Sequence, residues 1–300
     1  AKETKQNHYI NKVIQMTSEK DNFLNYIINA DVDGVCKSLE NGSDPNQQGI
    51  DGSTAFMCLI DNVTKYKNND ALRICEILIN AGTDYDKHDN NGMTALMHAT
   101  DDYNVLLASS STGTSIADIN TTSEEFNDIV LGIMLLLIEA GADVNKQNEC
   151  GFTALQSPAW ITNNYKMTAL MYAAKNEGGN SIEKLCLLIN AGADVNKQNE
   201  RGFTALMYAV DNEKHGMNTA PLLLRAGANV NMQSKEGRTA LTACAEMNHW
   251  PSPSTTANAT KIMKFFLEAG ADFNKKDDEV TRISGIRDNQ SNVMIERFKE

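Results

Sequence analysis

The sequence predicts an all-α fold built from short stacked repeats, and internal self-similarity carries this prediction. The string AGADVNKQNE occurs twice, at Ala140–Glu149 and Ala191–Glu200, and each copy continues into Gly-Phe-Thr-Ala-Leu. Weaker copies begin at Asn80, Arg225 and Glu268. Repetition at a period of tens of residues is typical of solenoids, in which each unit packs against its neighbours and no unit folds alone.

The best-defined unit runs from Asn199 to Gln233. A polar turn comes first, and Thr204 then stands where a helix N-cap is expected, because its hydroxyl can accept an unpaired backbone N–H of the first turn. A second short helix contains Leu222–Leu224 and ends at Gly227, a residue suited to the left-handed conformation of a C-cap. The unit is therefore turn, helix, helix and extended loop.

At these residues the sequence resembles the ankyrin repeat. Thr-Ala-Leu-Met-x-Ala, found at Thr94–Ala99, Thr168–Ala173 and Thr204–Ala209, stands in place of that family's Thr-Pro-Leu-His-x-Ala. The Pro and the His of the family pattern are both lost. The resemblance covers the chain from about Asp21 onward and implies an ankyrin-repeat solenoid of about seven stacked helix-turn-helix units with hairpin-like loops.

The repeat spacing also predicts the domain organisation. Residues 1–20 form an N-terminal extension or capping helix, and residues 21–300 form one repeat domain. Its units are expected near residues 21–50, 51–89, 90–148, 149–198, 199–233 and 234–276, with an atypical cap at 277–300.

Extra residues fall between the first and second helices of three units. These inserts are polar and include residues 62–70, 109–118 and 251–258. Long surface insertions cost little free energy, so tolerated drift is the favoured interpretation. The alternative is a second binding edge.

A duplicated unit start interrupts the fourth unit. Pro158 would end a helix in the first copy after one turn, so we assign the helix to Thr168–Lys175 in the second copy. Residues 151–163 are then predicted to form an extended finger that carries Phe152 and Trp160. Trp160 either packs back on the stack or forms an exposed binding tip.

The composition and the motifs argue against several function classes. The formal net charge of −12 repels phosphate backbones and anionic lipid, so we expect no nucleic-acid partner. The sequence contains no run of 18 apolar residues, so we also expect no membrane insertion. The five His and six Cys show no metal-ligand spacing, and no nucleophile–base or phosphate-binding motif is present. We therefore predict no enzyme activity, no cofactor and no metal.

The cysteines bear on the compartment. They show no Cys-x-x-Cys pair, and only Cys150, at a predicted loop tip, is expected to react readily. Reduced structural thiols favour a cytoplasmic location, and a secreted or periplasmic location is the alternative if a signal peptide was removed.

The family resemblance implies a protein-interaction module whose partner meets the loop tips and the concave face of the first helices, and we expect the chain to be a monomer. The candidate contacts occupy the position before the motif Thr, the position two after the motif Leu, and the finger. They are Met93, His98, Phe152, Trp160, Met167, Tyr172, Phe203, Tyr208 and Arg238. Aromatic, Met and Arg residues are common interface anchors, although packing between units is an alternative role for the tyrosines.

Two further expectations follow. Phe203 and Arg238 occupy the same position in adjacent units and should lie side by side, outside the core. The acidic charge permits a basic partner, so the alternative function is an inhibitor or immunity-type protein that neutralises a basic enzyme or toxin.

Overall fold

The computed structural model describes residues 23–67, 69–100, 123–148, 166–175, 180–212, 216–247 and 253–272. No β-strand occurs among these residues, which confirms the predicted all-α class. Two compact units are present: unit 1 comprises residues 1–99 and 103–143, and unit 2 comprises residues 100–102 and 144–300.

The described part of unit 1 contains helices that follow one another in pairs. These pairs are α1 (residues 23–28) with α2 (Val32–Glu40), α3 (Ala55–Asp61) with α4 (Asp70–Asn80), and α5 (Ala95–Thr100) with α6 (Ser123–Glu139). A single 3-10 turn, Val63–Lys65, lies between α3 and α4. Because α4 packs against both α2 and α6, the second helices of the pairs form one layer.

The described part of unit 2 repeats this arrangement. Its pairs are α7 (Ala169–Lys175) with α8 (Ser181–Asn190), α9 (Ala205–Asp211) with α10 (Gly216–Arg225), and α11 (Ala240–Met247) with α12 (Pro253–Glu268). The first helix α9 packs against α7 and α11, and the second helix α10 packs against α8 and α12. Unit 2 is therefore a stack of helix pairs in two layers.

The predicted helix ends are confirmed. The hydroxyl of Thr204 accepts a hydrogen bond from the Met207 N–H at 3.4 Å and caps α9. Gly227 follows α10 with a φ of 91°, in the left-handed region where a Cβ would be strained. The Asp194 carboxylate accepts from the Asn196 N–H at 2.9 Å and so closes the turn that follows α8.

The duplicated unit start is resolved in favour of its second copy. α7 begins directly after Thr168, whose hydroxyl accepts from the Met171 N–H at 3.3 Å. The predicted finger at residues 151–163 lies outside the described residues. So do the predicted terminal segments at 1–20 and 277–300.

The core of unit 2 is concentrated in the first helices. α9 lies between α7 and α11 and in contact with α10, so apolar side chains are covered on three sides. Its buried residues are Ala205, Leu206, Met207, Ala209 and Val210. Burying each of the larger of these side chains contributes about 1.5–3 kcal/mol to the free energy of unfolding.

The insert at residues 62–70 corrects the expectation of a drifting surface loop. Val63 and Tyr66 are buried. The Tyr66 hydroxyl donates a hydrogen bond to the Ile27 carbonyl, and Lys65 Nζ donates to the Ile28 carbonyl at 3.1 Å. Both acceptors lie at the C-terminal end of α1, where carbonyl groups need partners and a cation is favoured. The preference for drift is wrong for this insert, because the insert caps the preceding repeat.

Part of the third insert is helical as well. Residues 253–258, predicted to be loop, belong to α12, which has 16 residues where α10 has 10. The extra residues of this unit therefore lengthen its second helix. The insert at 109–118 lies outside the described residues.

Candidate functional site

One asparagine holds the hairpin tip that precedes α9. Asn199 Oδ1 accepts hydrogen bonds from the Arg201 N–H at 3.0 Å and from the Phe203 N–H at 2.9 Å. Gly202, between them, has a φ of 79°, and a Cβ there would lie 2.9 Å from the backbone nitrogen of Lys235. Any other residue would be strained and would collide with the next hairpin. This turn fixes where Arg201 and Phe203 leave the backbone.

Two guanidinium groups lie over one aromatic ring at this tip. The Cζ atoms of Arg201 and Arg238 lie 5.4 and 5.6 Å from the centroid of the Phe203 ring. The Tyr208 ring lies 5.7 Å from Phe203, centroid to centroid, at 41°. Each cation–π contact contributes on the order of 0.5–1 kcal/mol at an exposed site. Phe203 and Arg238 lie side by side, as their equivalent positions predict.

Carboxylates from the chain hold both guanidinium groups. Arg238 makes a two-bond pair with Asp211, with N–O distances of 3.1 and 3.0 Å, and Arg201 Nη2 lies 2.8 Å from Glu236 Oε1. Within each pair, the charge of the arginine and the charge of the carboxylate cancel. We call this surface the Phe203 patch; its members are Arg201, Phe203, Tyr208, Asp211, Glu236 and Arg238.

The hydroxyl of Tyr208 is part of the same network. It accepts a hydrogen bond from Asn199 Nδ2 at 2.8 Å. Burial raises the pKa of Tyr208 to about 12, so the phenol stays neutral at physiological pH. A half-buried, fixed tyrosine of this kind presents apolar area together with a polar group.

The structure distributes the nine predicted contact residues unevenly. Tyr208 and Arg238 are half-buried in the patch, and Phe152 and Trp160 lie outside the described residues. Five are buried: Met93, His98, Met167, Tyr172 and Phe203. The prediction that Phe203 lies outside the core is wrong, because Tyr208 and the two arginines cover its ring and leave it 9% exposed.

His98 is the centre of a buried ionic network in unit 1. Its Nδ1 lies 3.2 Å from Asp61 Oδ1 and its Nε2 lies 3.1 Å from Asp89 Oδ2. Burial alone would lower the pKa of His98, but the hydrogen bonds and charges of the two carboxylates raise it to about 9. Burial alone would raise the pKa of Asp89, but the hydrogen bonds from His98 and from the Met93 N–H lower it. The imidazolium is therefore the form present at neutral pH.

A row of asparagine side chains that we did not predict ties successive loops together. Asn196 Oδ1 accepts from the Asn229 N–H at 2.7 Å, and its Nδ2 donates to the Gly227 carbonyl at 3.1 Å. Asn145 and Asn231 make the same pair of bonds to the loops that follow them. The signal in the sequence was the Asn that recurs in Ala-Asp-Val-Asn.

A second row is formed by glutamines one turn further along the loops. Gln198 Nε2 donates to the Gly202 carbonyl at 2.7 Å and to the Gln233 carbonyl at 2.9 Å. Gln48 makes the equivalent pair of bonds in unit 1, at 2.6 and 2.8 Å. The two rows fix the distance between hairpins and hence between the side chains that the hairpins carry.

The described cysteines are free thiols: Cys36, Cys58, Cys75, Cys186 and Cys244. Burial raises the pKa of Cys58, Cys75 and Cys244 to about 12, which makes them poor nucleophiles. Within the ranges that the structure describes, no group of three or more His, Cys, Asp or Glu could hold a metal ion. In the same ranges no helix is both long and apolar enough to cross a membrane.

Comparison with known proteins identifies the class. Residues 170–277 match the family model of ankyrin repeats, in three copies. No curated protein matches the sequence. The resemblance inferred from the sequence is confirmed over these residues, which carry ankyrin repeats. Ankyrin repeats are in general protein-interaction modules without catalytic activity.

Solved structures extend the likeness over most of the chain. A chain of the complex between the predatory endopeptidase Bd0816 of Bdellovibrio bacteriovorus and the immunity protein Bd3460 is 20% identical, with 82% of this chain and 97% of that chain covered and a TM-score of 0.53. The ankyrin repeat domain ABAYE2397 of Acinetobacter baumannii AYE is 24% identical, with 83% and 98% covered and a TM-score of 0.55. The ankyrin repeat domain of Bcl-3, of the IkappaB family, is 18% identical, with 86% and 90% covered and a TM-score of 0.58. At these identities the likeness is one of fold.

Proposed function

We propose that this chain binds a partner protein through the loop tips and the face lined by the first helices, without catalysis, and that the Phe203 patch is an anchor of the interface. The observation that carries the proposal is the contact of the Phe203 ring with two arginines. Arg, Tyr and other aromatic residues supply most of the binding free energy at protein interfaces. The patch places four of them, Arg201, Phe203, Tyr208 and Arg238, on two adjacent hairpin tips and helix α9.

The patch is also organised before a partner arrives. Asp211 and Glu236 hold the two guanidinium planes, and Asn199 fixes both the hairpin and the Tyr208 hydroxyl. Ordering a flexible long side chain at an interface costs about 0.5–1.5 kcal/mol of binding free energy, and a side chain that is already held in place avoids this cost. The same contacts that keep the patch neutral therefore favour binding.

The test replaces the half-buried Arg238 and compares the effect on binding with that of replacing Arg225, an exposed arginine outside the patch. A partner captured by cross-linking to the wild type is purified, and its affinity is measured for Arg238→Ala and for Arg225→Ala, which changes the net charge equally at the end of α10. We expect Arg238→Ala to weaken binding about 30-fold, a loss of about 2 kcal/mol typical of an anchor, and Arg225→Ala to have little effect.

Both variants should melt close to the wild type, since Asp211 is 39% exposed in its side chain and stays hydrated without its partner. An Arg238→Ala protein that melts normally and binds with wild-type affinity would move the anchor away from the patch.

The alternative function is inhibition of a basic enzyme or toxin. The Bdellovibrio complex supports it, because that structure joins an endopeptidase to an immunity protein and contains a chain of this fold. The net charge of −12 supports it as well. The captured partner would then be an enzyme that loses its activity at a one-to-one molar ratio. A partner without enzyme activity would exclude inhibition and leave the interaction proposal standing.

A further inference from the structure

The excess negative charge of the chain belongs to one part of the sequence. Residues 23–143, which fall in unit 1 apart from residues 100–102, contain five Lys and Arg against 19 Asp and Glu, a net charge of −14. Residues 144–300, in unit 2, contain 18 against 17, a net charge of +1. A difference of this size between two halves is evidence about partners rather than about folding.

Exposed carboxylates in unit 1 recur at one position of successive loops. Asp44, Asp84 and Asp143 are all exposed. The loops that carry them are bonded to each other, because Asn46 Oδ1 accepts from the Asp84 N–H at 2.6 Å and Asp86 Oδ1 accepts from the Asp143 N–H at 3.0 Å. The three carboxylates therefore follow one edge of unit 1. We call them the aspartate row.

An apolar side chain stands on a hairpin tip of the same unit. Ile50 is fully exposed, and its carbonyl accepts from Asn90 Nδ2 at 3.1 Å, so the tip is tied to the next hairpin. A single exposed apolar side chain is ordinary on a protein surface, so the choice of occupant depends on the charge. No group of three or more His, Cys, Asp or Glu in the described part of the chain could hold a metal ion. Negative charge spread over a whole unit therefore favours an extended basic surface as its occupant.

We propose that unit 1 attracts a basic protein surface, with the aspartate row as part of the attracting edge. This proposal rests on the proposed function, because it assumes a protein partner, and it adds the chemistry of that partner and the part of the chain that meets its charge. The Phe203 patch pairs its own charges, so it contributes little long-range field. The excess negative charge of unit 1 accelerates encounter with a cation, and this attraction is screened over a Debye length of about 8–10 Å at moderate salt.

The chain itself supplies a substitution that removes charge and keeps the turn. Asp84 Oδ1 accepts from the Asp86 N–H at 3.0 Å, and in unit 2 Asn229 Oδ1 accepts equally from the Asn231 N–H at 3.0 Å. Asn is thus native to this position. A row variant carries Asp44→Asn, Asp84→Asn and Asp143→Asn.

The matched control removes three charges from unit 2. It carries Asp194→Asn and Asp272→Asn at the equivalent position, and Glu200→Gln on a tip; all three residues are exposed. Both variants have the same net charge, so any difference between them reports the location of the charge and not its sum.

The probe is an octalysine peptide with a fluorescent label, titrated by anisotropy at 20 and 500 mM salt, with octaglutamate as a mirror probe. We expect the row variant to bind octalysine about fivefold more weakly than the control variant at low salt, and the difference to vanish at high salt. Octaglutamate should bind none of the proteins.

Equal affinity of the two variants for octalysine would overturn the assignment to unit 1, and so would a greater loss in the control. Neither result affects the Arg238→Ala experiment, which uses a purified partner and a different unit, so failure of one proposal can be told from failure of the other. Thermal melting of both variants before titration shows that the loops are intact.

Discussion

The buried His98 network makes the stability of the protein depend on pH between about 6.5 and 9. The perturbation is the loss of the proton from His98, whose pKa in the folded state is about 9. In the unfolded chain the pKa is about 6.5, and each unit of difference is worth about 1.4 kcal/mol. The network therefore contributes roughly 3 kcal/mol to the free energy of unfolding when the proton is bound in the folded state.

The sign of the dependence follows from the direction of this shift. Because the folded pKa is raised, the stabilisation is fully present below pH 6.5 and is lost as the pH rises toward 9. Asp89 has the opposite sign: its lowered pKa gives stability above its ordinary range that is lost as the pH falls through the folded value in acid. Stability is therefore highest between these two losses, near pH 5 to 6.5.

The assay is urea unfolding at a series of pH values from 5 to 9, compared with the double variant Asp89→Asn/His98→Tyr. This pair copies Asn199 and Tyr208, which occupy the equivalent positions in unit 2 and make a neutral 2.8 Å hydrogen bond. We expect the wild type to lose roughly 3 kcal/mol between pH 6.5 and 9, and the variant to stay nearly constant there. Parallel curves for the two proteins would refute the assignment of a buried imidazolium.

Three smaller predictions follow. Tyr66→Phe removes the hydrogen bond to the Ile27 carbonyl and should lower the free energy of unfolding by about 1 kcal/mol in urea, whereas an insert without structural role would tolerate the change. Asn196→Ala removes the bonds to the Asn229 N–H and the Gly227 carbonyl and should cost about 0.5–1.5 kcal/mol, with exposed Glu200→Ala as a control that costs less than about 0.5. A mild thiol reagent should label the native protein slowly at three buried thiols and rapidly only after unfolding, as mass spectrometry of the labelled peptides would show: Cys58, Cys75 and Cys244.

Local signals were sufficient to predict the helices. Thr204 caps a helix because of the three residues that follow it, and Gly227 ends one because of its own conformational freedom. Both effects act within one turn of the chain, so the sequence contains all that they need. The choice of the second unit start, at Thr168, was possible for the same reason, since Pro158 is a local breaker.

The parts that were missed depend on contacts between repeats. Phe203 is covered by Arg238, which lies one repeat further along the chain. Tyr66 caps α1 from 39 residues away. No local pattern distinguishes such contacts from exposure, because an aromatic residue in a turn has the same neighbours in sequence whether its ring is covered or free. The excess of negative charge in residues 23–143 is visible in the sequence, but only the division of the chain into two units assigns that charge to one part of the fold.

The two units use one position of the fold for different purposes. Asp61 and Asp211 each stand seven residues after the motif Thr, at the end of a first helix, and each meets a cation from the next repeat. In unit 1 that cation is His98, which Asp89 contacts on its other side. The His98 side chain is therefore buried, and its ion pairs stabilise the folded protein. In unit 2 the cation is Arg238, whose longer side chain reaches the same carboxylate from the hairpin and remains 18% exposed. A cation that is paired yet still accessible can exchange or extend its bonds when a partner arrives, whereas an enclosed one cannot. Recognition is therefore expected where this Asp pairs with Arg238, and pH-dependent stability where it pairs with His98.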